Sequence, residues 1–370
     1  MKLAFISNYF NYHQKSLSDS FNDLCDEYKF ISTQKMDKSR INMGWDKEKP
    51  SYVISYDDNI TFCESILLKY DIVIYGSSPY KYIKARLESG KITFLYSERI
   101  FKDKKNSFKN FIRSIKYKYR FKKYSNIYLL AASGYAAQDY ASIGCFKGKA
   151  LKWGYFPETR FYENVSELIR GKTPNTILWC GRFLDWKHPE MCIRLAENLR
   201  SQHKPFNITM VGVGKIKDSI VNEIERNKLQ DVLKVLNPMT PYEIRSLMEQ
   251  SQIYIFTSDR HEGWGAVLNE AMNSCCSVVA SSDIGSTPFL IEKGENGFLY
   301  DCKDATDLEK YVSILLENED CRYETGYKAY RTIVKLWNAE IAAERFIKIS
   351  NKLLDSGKLS FEIEGPCSKA

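Results

Sequence analysis

One stretch limits the possible fold more than any other: residues 257–271, with the sequence TSDRHEGWGAVLNEA. It follows the apolar run 253–256, which is typical of a buried parallel strand. A Glu-Gly-Trp-Gly turn and a helical pattern over about 265–272 come next, and the apolar run 277–280 follows directly. Strand, turn, helix and strand in this order form one βαβ unit, so the sequence predicts a parallel sheet covered by helices.

The turn at the start of this helix is predicted to bind a ligand that carries both phosphate and hydroxyl groups. Backbone N–H groups at a helix start have no partner within the helix, and the helix dipole is positive there. Glu262 and Glu270 flank the turn, roughly 12 Å apart if the chain between them were helical. Carboxylates accept hydrogen bonds from sugar hydroxyls. The arrangement suits a nucleotide sugar, although two solvated carboxylates at helix ends would give the same pattern.

The stretch resembles the E-x7-E motif of the retaining family-4 glycosyltransferases, which have the GT-B fold. The resemblance continues downstream through 277–280, Gly285 and 295–299. It also continues upstream to Cys180-Gly181-Arg182 and Lys187, which match the basic pair of that family, and it covers roughly 175–318. It implies an α/β protein of GT-B type, with two doubly wound parallel-sheet domains of Rossmann-like topology facing a cleft.

The resemblance also implies roles for individual residues. Glu262 would hold the hydroxyls of the transferred sugar, Glu270 would bind the ribose, and Arg182 and Lys187 would stabilise the leaving nucleoside diphosphate. The catalytic candidates are therefore Glu262, Arg182 and Lys187, together with His13. The predicted donor site comprises Gly181, Arg182, Lys187, Gly212, Asn237, Pro238, Glu262, Gly263, Trp264, Gly265, Val267, Leu268 and Glu270. A surface ion pair with a neighbouring acid is the alternative for the two cations.

Strands and helices alternate along the chain, which predicts parallel sheets. Predicted strands in the first half are 2–7, 28–32, 52–56, 71–75, 92–96, 127–131 and 150–153. We expect an acceptor-side domain over 1–157, which a crossing helix at about 338–355 rejoins. A linker over 158–174, a donor-binding domain over 175–337 and a loose tail over 356–370 complete the prediction.

Candidate acceptor contacts lie just after strands of the first domain, because open parallel sheets bind ligands outside the carboxyl ends of their strands. The first of these loops, 8–14, contains no glycine, whereas the resembled family has a glycine-rich loop there. His13 could orient or deprotonate an acceptor hydroxyl, or simply cap or pack the following helix. Glu98 and Arg99 either form a structural ion pair or contact the acceptor.

The positive charge of the chain is concentrated in residues 102–123. This segment holds ten Lys and Arg and one Asp, a net charge of +9, whereas the whole chain has +8. Apolar side chains recur at helical spacing, which predicts an amphipathic helix that packs on the sheet with a basic outer face; they are Phe108, Phe111, Ile112, Ile115 and Tyr119. The basic face is either solvated or held at an anionic membrane surface. Nucleic-acid binding lacks a supporting motif.

Composition limits compartment and cofactors. The ten cysteines show no C-x-x-C spacing, and we expect reduced thiols in a cytoplasmic protein. No signal-peptide pattern or apolar run of ~18 residues is present. Peripheral contact with the inner face of a membrane is compatible with this prediction. Because the sequence has no D-x-D triplet, we expect no metal, and cations and the helix start would compensate phosphate charge.

The leading hypothesis is a retaining glycosyltransferase that uses a nucleotide sugar, with UDP as the expected nucleotide. Its acceptor would be lipid-linked or a glycan, in the synthesis of a bacterial surface polysaccharide such as O-antigen or capsule. A non-catalytic sugar-binding protein of the same fold is an alternative. Another alternative is a different GT-B enzyme, such as a nucleotide-sugar epimerase or a phosphorylase.

Overall fold

The computed structural model describes residues 1–36, 41, 49–103, 107–302 and 304–370. Most of the predicted polar loop 33–50, and residues 104–106 of the basic segment, lie outside the described residues. The chain divides into two units. The first unit comprises Met1–Glu158 and Trp337–Ala370, and the second comprises Thr159–Leu336.

The first unit contains a parallel sheet of seven strands with the order β3-β2-β1-β4-β5-β6-β7. The strands are β1 (Lys2–Ser7), β2 (Glu27–Ser32), β3 (Val53–Ser55), β4 (Ile72–Tyr75), β5 (Thr93–Ser97), β6 (Ile127–Ala131) and β7 (Ala150–Lys152). The helices between them are α1 (Tyr12–Leu24), α2 (Ile60–Lys69), α3 (Lys81–Glu88), α4 (Phe108–Phe121) and α5 (Ala136–Ser142).

The second unit contains a parallel sheet of six strands with the order β10-β9-β8-β11-β12-β13. These are β8 (Thr173–Cys180), β9 (Asn207–Val211), β10 (Leu233–Leu236), β11 (Ser251–Phe256), β12 (Ser277–Ser281) and β13 (Phe298–Tyr300). Its helices are α6 (Val165–Arg170), α7 (Glu190–Ser201), α8 (Lys217–Arg226), α9 (Pro241–Gln250), α10 (Val267–Asn273), α11 (Thr287–Leu290), α12 (Ala305–Glu317) and α13 (Glu319–Lys335). Two doubly wound parallel sheets confirm the predicted fold class.

Local sequence explains the main elements of the second unit. All six residues of β11 are buried, as expected of a central parallel strand that helices cover on both faces. Helix α9 begins with a reciprocal cap. The Thr240 hydroxyl accepts from the Glu243 N–H, and the Glu243 carboxylate accepts from the Thr240 N–H. Pro241 follows at the first helical position, where its missing N–H costs nothing.

The last helix, α14 (Ala339–Ser356), belongs to the first unit. The Asn338 side chain caps its start by accepting from the Ile341 N–H. Its residue Phe346 is fully buried and packs with ring centroids 5.5 Å from Phe21 and 4.8 Å from Phe94. The returning chain therefore contributes to the core of the first unit.

The predicted linker 158–174 is wrong over most of its length. It contains α6 and the first two residues of β8, and all but Glu158 belongs to the second unit. Ile169 is buried in a small cluster with Cys275 and Tyr330. Polar residues lie between the apolar positions of α6, so the composition of the segment suggested a linker although the helix is packed.

The predicted loose tail 356–370 is also wrong at its end. The Lys152 N–H donates to the Ser368 carbonyl (2.7 Å), and the Cys367 N–H donates to the Lys152 carbonyl (2.8 Å). Leu151 and Lys369 form an antiparallel bridge, and Cys367 is fully buried. The chain end therefore pairs with the edge strand β7. Such pairing needs no hydrophobic period and leaves little trace in the sequence.

The orientation predicted for the basic helix is wrong as well. Helix α4 forms, but the five apolar side chains that were expected to face the sheet are exposed. The residues that pack inward are instead on the opposite side of the helix, where Asn110 and Phe121 are buried. Aromatic rings and one amide thus anchor the helix, and the recurrent apolar positions do not.

Candidate functional site

The second unit places a lysine and a glutamate together where its two central strands end. Lys187 belongs to a short 3₁₀ helix (Asp185–Lys187) after β8, and Glu262 lies in the loop after β11. Because β8 and β11 are parallel neighbours, their carboxyl ends meet at the same edge of the sheet. The Lys187 ammonium donates a hydrogen bond to a carboxylate oxygen of Glu262.

This ion pair is held by further contacts. The Lys187 side chain is largely buried, and its ammonium lies 4.8 Å from the Trp186 ring centroid and 5.4 Å from that of Phe256. The Ser258 hydroxyl donates to the same Glu262 oxygen at 3.1 Å. The Thr257 hydroxyl donates to the Lys187 carbonyl at 2.5 Å. Breaking such a partly buried pair leaves an uncompensated charge, so each partner fixes the other.

Glu270 lies near the same pair. It belongs to α10 and is buried. Burial raises the pKa of the Cys180 thiol to about 12; the Glu270 carboxylate adds to this effect and the Lys187 ammonium opposes it. Burial likewise raises the pKa of Tyr254, and the nearby carboxylates of Glu270 and Glu262 contribute. The two predicted acids and Lys187 are thus electrostatic neighbours around the exits of β8 and β11.

The glycine turn between the two acids has a steric reason. Gly265 has φ +87°, and a Cβ there would lie 2.6 Å from the Phe256 ring. Trp264 is fully buried and donates from its indole N–H to the Asn269 side chain at 2.9 Å. The helix was predicted from about Gly265, but it begins at Val267 and spans seven residues. Its dipole is therefore modest, so the predicted phosphate binding would depend more on the cations.

The other predicted donor residues lie at exits of the same sheet. Arg182 is exposed directly after β8, and Asn237 and Pro238 are exposed after β10. Gly181 is half-buried and donates its N–H to the Val211 carbonyl at 3.1 Å. Gly212 is required by the fold, because a Cβ there would lie 1.9 Å from the Gly181 carbonyl oxygen. In the glycine turn and α10, Gly263 and Leu268 are buried and Val267 is half-buried.

Sequence reasoning missed a charged cluster beside the ion pair. The Asp259 carboxylate contacts the His261 ring (2.8 Å) and the His188 ring (3.5 Å), and Glu190 contacts His188 from the other side (2.8 Å). Hydrogen bonds to Asp259 and Glu190 raise the pKa of His188 to about 9. Although burial opposes it, hydrogen bonding to the two histidines lowers the pKa of Asp259 to about 2.

The sequence did contain a signal for this cluster. His188 directly follows Lys187, and His261 directly precedes Glu262. Two of the four histidines of the chain are therefore sequence neighbours of the two residues that form the ion pair. Bridging by Asp259 connects the loop after β8 to the loop after β11 and holds the two halves of the candidate site in register.

In the first unit, the structure gathers His13 and Glu98 around one tyrosine. The Tyr155 hydroxyl donates to Glu98 at 2.8 Å, and the His13 ring centroid lies 6.5 Å from that of Tyr155. Burial lowers the pKa of His13 to about 3, so the imidazole is neutral at pH 7. A base this weak is better suited to orienting a hydroxyl than to deprotonating it.

The alternative of a Glu98–Arg99 ion pair is wrong. Glu98 pairs with Lys102 at 2.7 Å. The Arg99 guanidinium lies instead over the Tyr135 ring, 4.4 Å from its centroid, and near Asp139. Consecutive residues at a strand exit point in different directions, which explains why these neighbours have separate partners.

The described residues contain neither a candidate metal cluster nor a candidate membrane-spanning helix. Among residues 1–36, 41, 49–103, 107–302 and 304–370, no three His, Cys, Asp or Glu side chains are grouped so that they could hold a metal ion. Over the same ranges, no helix is both long and apolar enough to cross a bilayer.

Comparison with protein families gives a match over the second unit. Residues 162–332 match the family model described as Glycosyl transferases group 1. An uncharacterized glycosyltransferase of Methanocaldococcus jannaschii is 27% identical over 149 residues, which are 40% of this chain and 40% of the relative. A poly(ribitol-phosphate) alpha-N-acetylglucosaminyltransferase of Staphylococcus aureus is 26% identical over 172 residues, which are 46% of this chain and 34% of the relative. An amylovoran biosynthesis glycosyltransferase of Erwinia amylovora is 25% identical over an alignment that covers 49% of this chain and 45% of the relative.

These alignments span about a third to a half of the length of the curated relatives. Solved structures match over nearly the whole chain. The crystal structure of TarM covers 95% of this chain and 98% of its own, with a TM-score of 0.72 and 13% identity. The structure of Anabaena Alr3699/HepE in complex with UDP covers 95% of this chain and 100% of its own, with a TM-score of 0.72 and 15% identity. At these identities the likeness establishes the fold, and it confirms the predicted GT-B architecture.

Proposed function

We propose that this chain, whose residues 162–332 belong to the glycosyl transferases group 1 family, moves a sugar from a nucleotide-sugar donor to a glycan acceptor. The observation that carries the proposal is the Lys187–Glu262 ion pair, with Glu270 nearby, at the exits of β8 and β11. These residues lie within the segment that matches the family. The likeness to family-4 enzymes implies retention of configuration, which we include in the proposal.

The donor would bind to the second unit through its diphosphate and its two sugars. Lys187 retains donor hydrogens beyond the one it gives to Glu262, because an ammonium has three. The exposed Arg182 guanidinium offers a planar fork for phosphate oxygens. Glu262 would accept from hydroxyls of the transferred sugar, and Glu270 from the ribose. The nucleobase would lie beside Asn237 and Pro238.

The reaction needs stabilisation of negative charge on the leaving group. The bond between the anomeric carbon and the diphosphate oxygen breaks, and a bond from that carbon to the acceptor oxygen forms. A donor phosphate oxygen takes the acceptor's hydroxyl proton on the same face of the sugar. Arg182 and Lys187 would stabilise the departing nucleoside diphosphate, since fixed cations interact most strongly with charge that develops in the transition state.

Several observations support the finer choices of donor and acceptor. One structure of the same fold, Anabaena Alr3699/HepE, was solved with UDP, so we propose UDP as the nucleotide. The relative from Erwinia amylovora is named for amylovoran biosynthesis, and the relative from Staphylococcus aureus for poly(ribitol-phosphate). We therefore propose a surface polysaccharide as product.

The basic segment 102–123 supports a lipid-linked acceptor at an anionic membrane. In the first unit, the acceptor would contact His13 and Glu98, with Arg99 held nearby.

Donor binding is tested by thermal denaturation with a panel of nucleotide sugars. A cognate UDP-sugar at 100 times its dissociation constant stabilises the folded state by about 2.7 kcal/mol. In a unit of this size we expect a rise in melting temperature of roughly 5 °C or more. If every nucleotide sugar in the panel leaves the melting temperature unchanged, the proposed donor site is wrong.

Catalysis is tested by the release of UDP in the presence of glycan acceptors. Glu262→Gln keeps the shape of the side chain and removes its charge, and we expect at least a tenfold loss of turnover. Glu225→Gln is the matched control, because Glu225 is an exposed carboxylate on α8 of the same unit. The Glu225→Gln variant should release UDP at the wild-type rate. Equal rates for both variants would contradict the role of Glu262.

Two alternative functions predict different products. A non-catalytic sugar-binding protein would bind the nucleotide sugar but release no UDP with any acceptor. A nucleotide-sugar epimerase would convert the donor without an acceptor, which chromatography of the nucleotide sugars would detect. The ion pair alone is compatible with both alternatives, whereas the family match favours transfer.

A further inference from the structure

In the described part of the chain, the contacts of helix α4 with the first unit come from one side of the helix. Phe121 is buried, and Tyr117 packs with ring centroids 6.0 Å from Phe121 and 5.6 Å from Tyr140. The Arg120 guanidinium lies 5.0 Å from the Tyr80 ring centroid. Arg113 pairs with Asp103 at 2.8 Å. These contacts fix the rotation of the helix, so the identity of its outward face is determined.

The outward face of α4 is apolar. Five large side chains on it are between 50% and 76% exposed: Phe108, Phe111, Ile112, Ile115 and Tyr119. With 3.6 residues per turn, these positions fall on a single stripe about 100° wide along the helix. Isolated exposed apolar residues are ordinary, but a contiguous stripe marks a surface that is covered by a partner.

Lysines border this stripe on both sides. By the same helical period, Lys109, Lys116 and Lys123 lie along one border, and Lys118 lies along the other. Lys122 follows the stripe at the C-terminal end of the helix. All five are exposed. Long lysine stems can lie along an apolar surface while their ammonium groups reach a polar boundary. The pattern of an apolar stripe between two cationic borders is that of a helix lying in a membrane interface.

We propose that this face, hereafter the α4 stripe, inserts into the leaflet of a bilayer that contains anionic lipid. The apolar side chains would enter the acyl region, and the bordering lysines would lie at the level of the lipid phosphates. This goes beyond the adhesion predicted from the sequence, in which a basic face lay outward and the apolar side chains faced the sheet. It concerns a surface distinct from the donor site, and it does not depend on sugar transfer.

Charge complementarity favours lipid over other partners. A second copy of this chain would bring lysine borders against lysine borders, which costs free energy through like-charge repulsion. Nucleic acid would pair with the lysines but would leave the apolar stripe in water. An anionic leaflet is complementary to the lysines and the apolar side chains together.

The test is flotation of the full chain with vesicles of phosphatidylcholine, with and without phosphatidylglycerol, at low and high salt. We expect the wild type to float with the anionic vesicles and to remain partly bound at high salt, because apolar insertion is not screened. Phe111→Ser/Ile115→Ser should reduce binding at least about tenfold and make the remainder fully sensitive to salt. Lys116→Gln/Lys118→Gln should weaken binding chiefly at low salt.

The matched control is Phe361→Ser/Ile363→Ser, which removes exposed apolar side chains elsewhere in the same unit. It should float like the wild type. Melting temperatures of all variants should match the wild type, since the altered side chains are exposed. The proposal is overturned if the wild type does not float with anionic vesicles, or if Phe111→Ser/Ile115→Ser floats equally well. It is also overturned if that variant instead abolishes self-association of the chain in the absence of lipid.

Discussion

A single glycine determines the geometry between the two acids of the candidate site. At Gly265 the backbone has φ +87°, a region that residues with a Cβ rarely adopt. The same position faces the Phe256 ring, which leaves no room for a methyl group. Glu262 lies on one side of this turn and α10 with Glu270 on the other. Any distortion at Gly265 therefore moves the two carboxylates relative to each other.

Gly265→Ala should accordingly destabilise the protein through both strain and steric clash. Gly294 offers a matched control, because its φ is +85° and a Cβ there would meet nothing within 4 Å. We expect Gly294→Ala to cost about 1 kcal/mol of unfolding free energy from backbone strain alone, and Gly265→Ala to cost roughly 1–3 kcal/mol more. Urea denaturation of both variants measures the difference. Equal losses of unfolding free energy in the two variants would show that the Phe256 ring can move aside without an energetic cost.

The histidine beside Lys187 makes the stability of the folded chain depend on pH. Hydrogen bonds to Asp259 and Glu190 raise the pKa of His188 to about 9, above the value of about 6.5 for an unfolded histidine. Below pH 6.5 the imidazolium is present in both states, and its contribution to stability is complete. As the pH rises from 6.5 through 9, the unfolded chain loses the proton first, and the contribution is progressively lost.

His188→Asn should remove this pH dependence. Asparagine tolerates the left-handed backbone at this position, where φ is +50°. We expect the variant to be about 1 kcal/mol less stable than the wild type near pH 6, after allowance for partial exposure of the pair. The difference should vanish above about pH 9.5. His203→Asn is the control, since His203 is exposed with φ +54°. A constant difference for His188→Asn across this range would refute the electrostatic origin.

At the scale of elements, the sequence was most informative where local signals agreed with the fold. The apolar run of β11, the glycine turn and the following helix predicted the βαβ unit that holds Glu262 and Glu270. The start of α9 is local in the same way, since Thr240, Pro241 and Glu243 form its cap within four residues. These signals succeed because buried parallel strands and helix caps are determined by neighbours in the chain. Lys187 and Glu262 were predicted separately, and the parallel pairing of β8 with β11 brings them together.

Elements that depend on distant contacts were predicted poorly. The period of α4 was read correctly, but its apolar stripe was assigned to the sheet, because apolar faces usually turn inward. The contacts of Tyr117 and Phe121 determine the opposite rotation. The chain end could not be assigned either, since its pairing with β7 uses backbone groups that every residue possesses. The bridge from Asp259 to His188 was missed for a similar reason, because 71 positions separate its partners in the sequence.

At the scale of the whole molecule, the proposed donor-binding and acceptor-binding residues belong to different units. The second unit carries every predicted donor contact, and the first carries the acceptor candidates and the α4 stripe. The chain passes from the first unit to the second and returns through Trp337–Ala370. The positive segment 102–123 belongs to the first unit, and the remaining chain is close to neutral. In the proposed function, recognition of the donor and attraction to a negative surface would therefore be properties of separate units.

Hydrogen exchange with and without UDP would locate donor binding within this division. We expect UDP to slow amide exchange in the loops after β8 and β11, residues 181–187 and 257–265, because bound phosphate and ribose protect the backbone there and suppress local opening. Peptides from β1 to β7 should exchange at nearly the same rate in both samples. Lys187→Gln, which removes a predicted phosphate contact, should largely abolish the protection at equal UDP. Protection confined to the first unit would instead place the nucleotide there, and the assignment of Lys187, Glu262 and Glu270 to the donor would then fail.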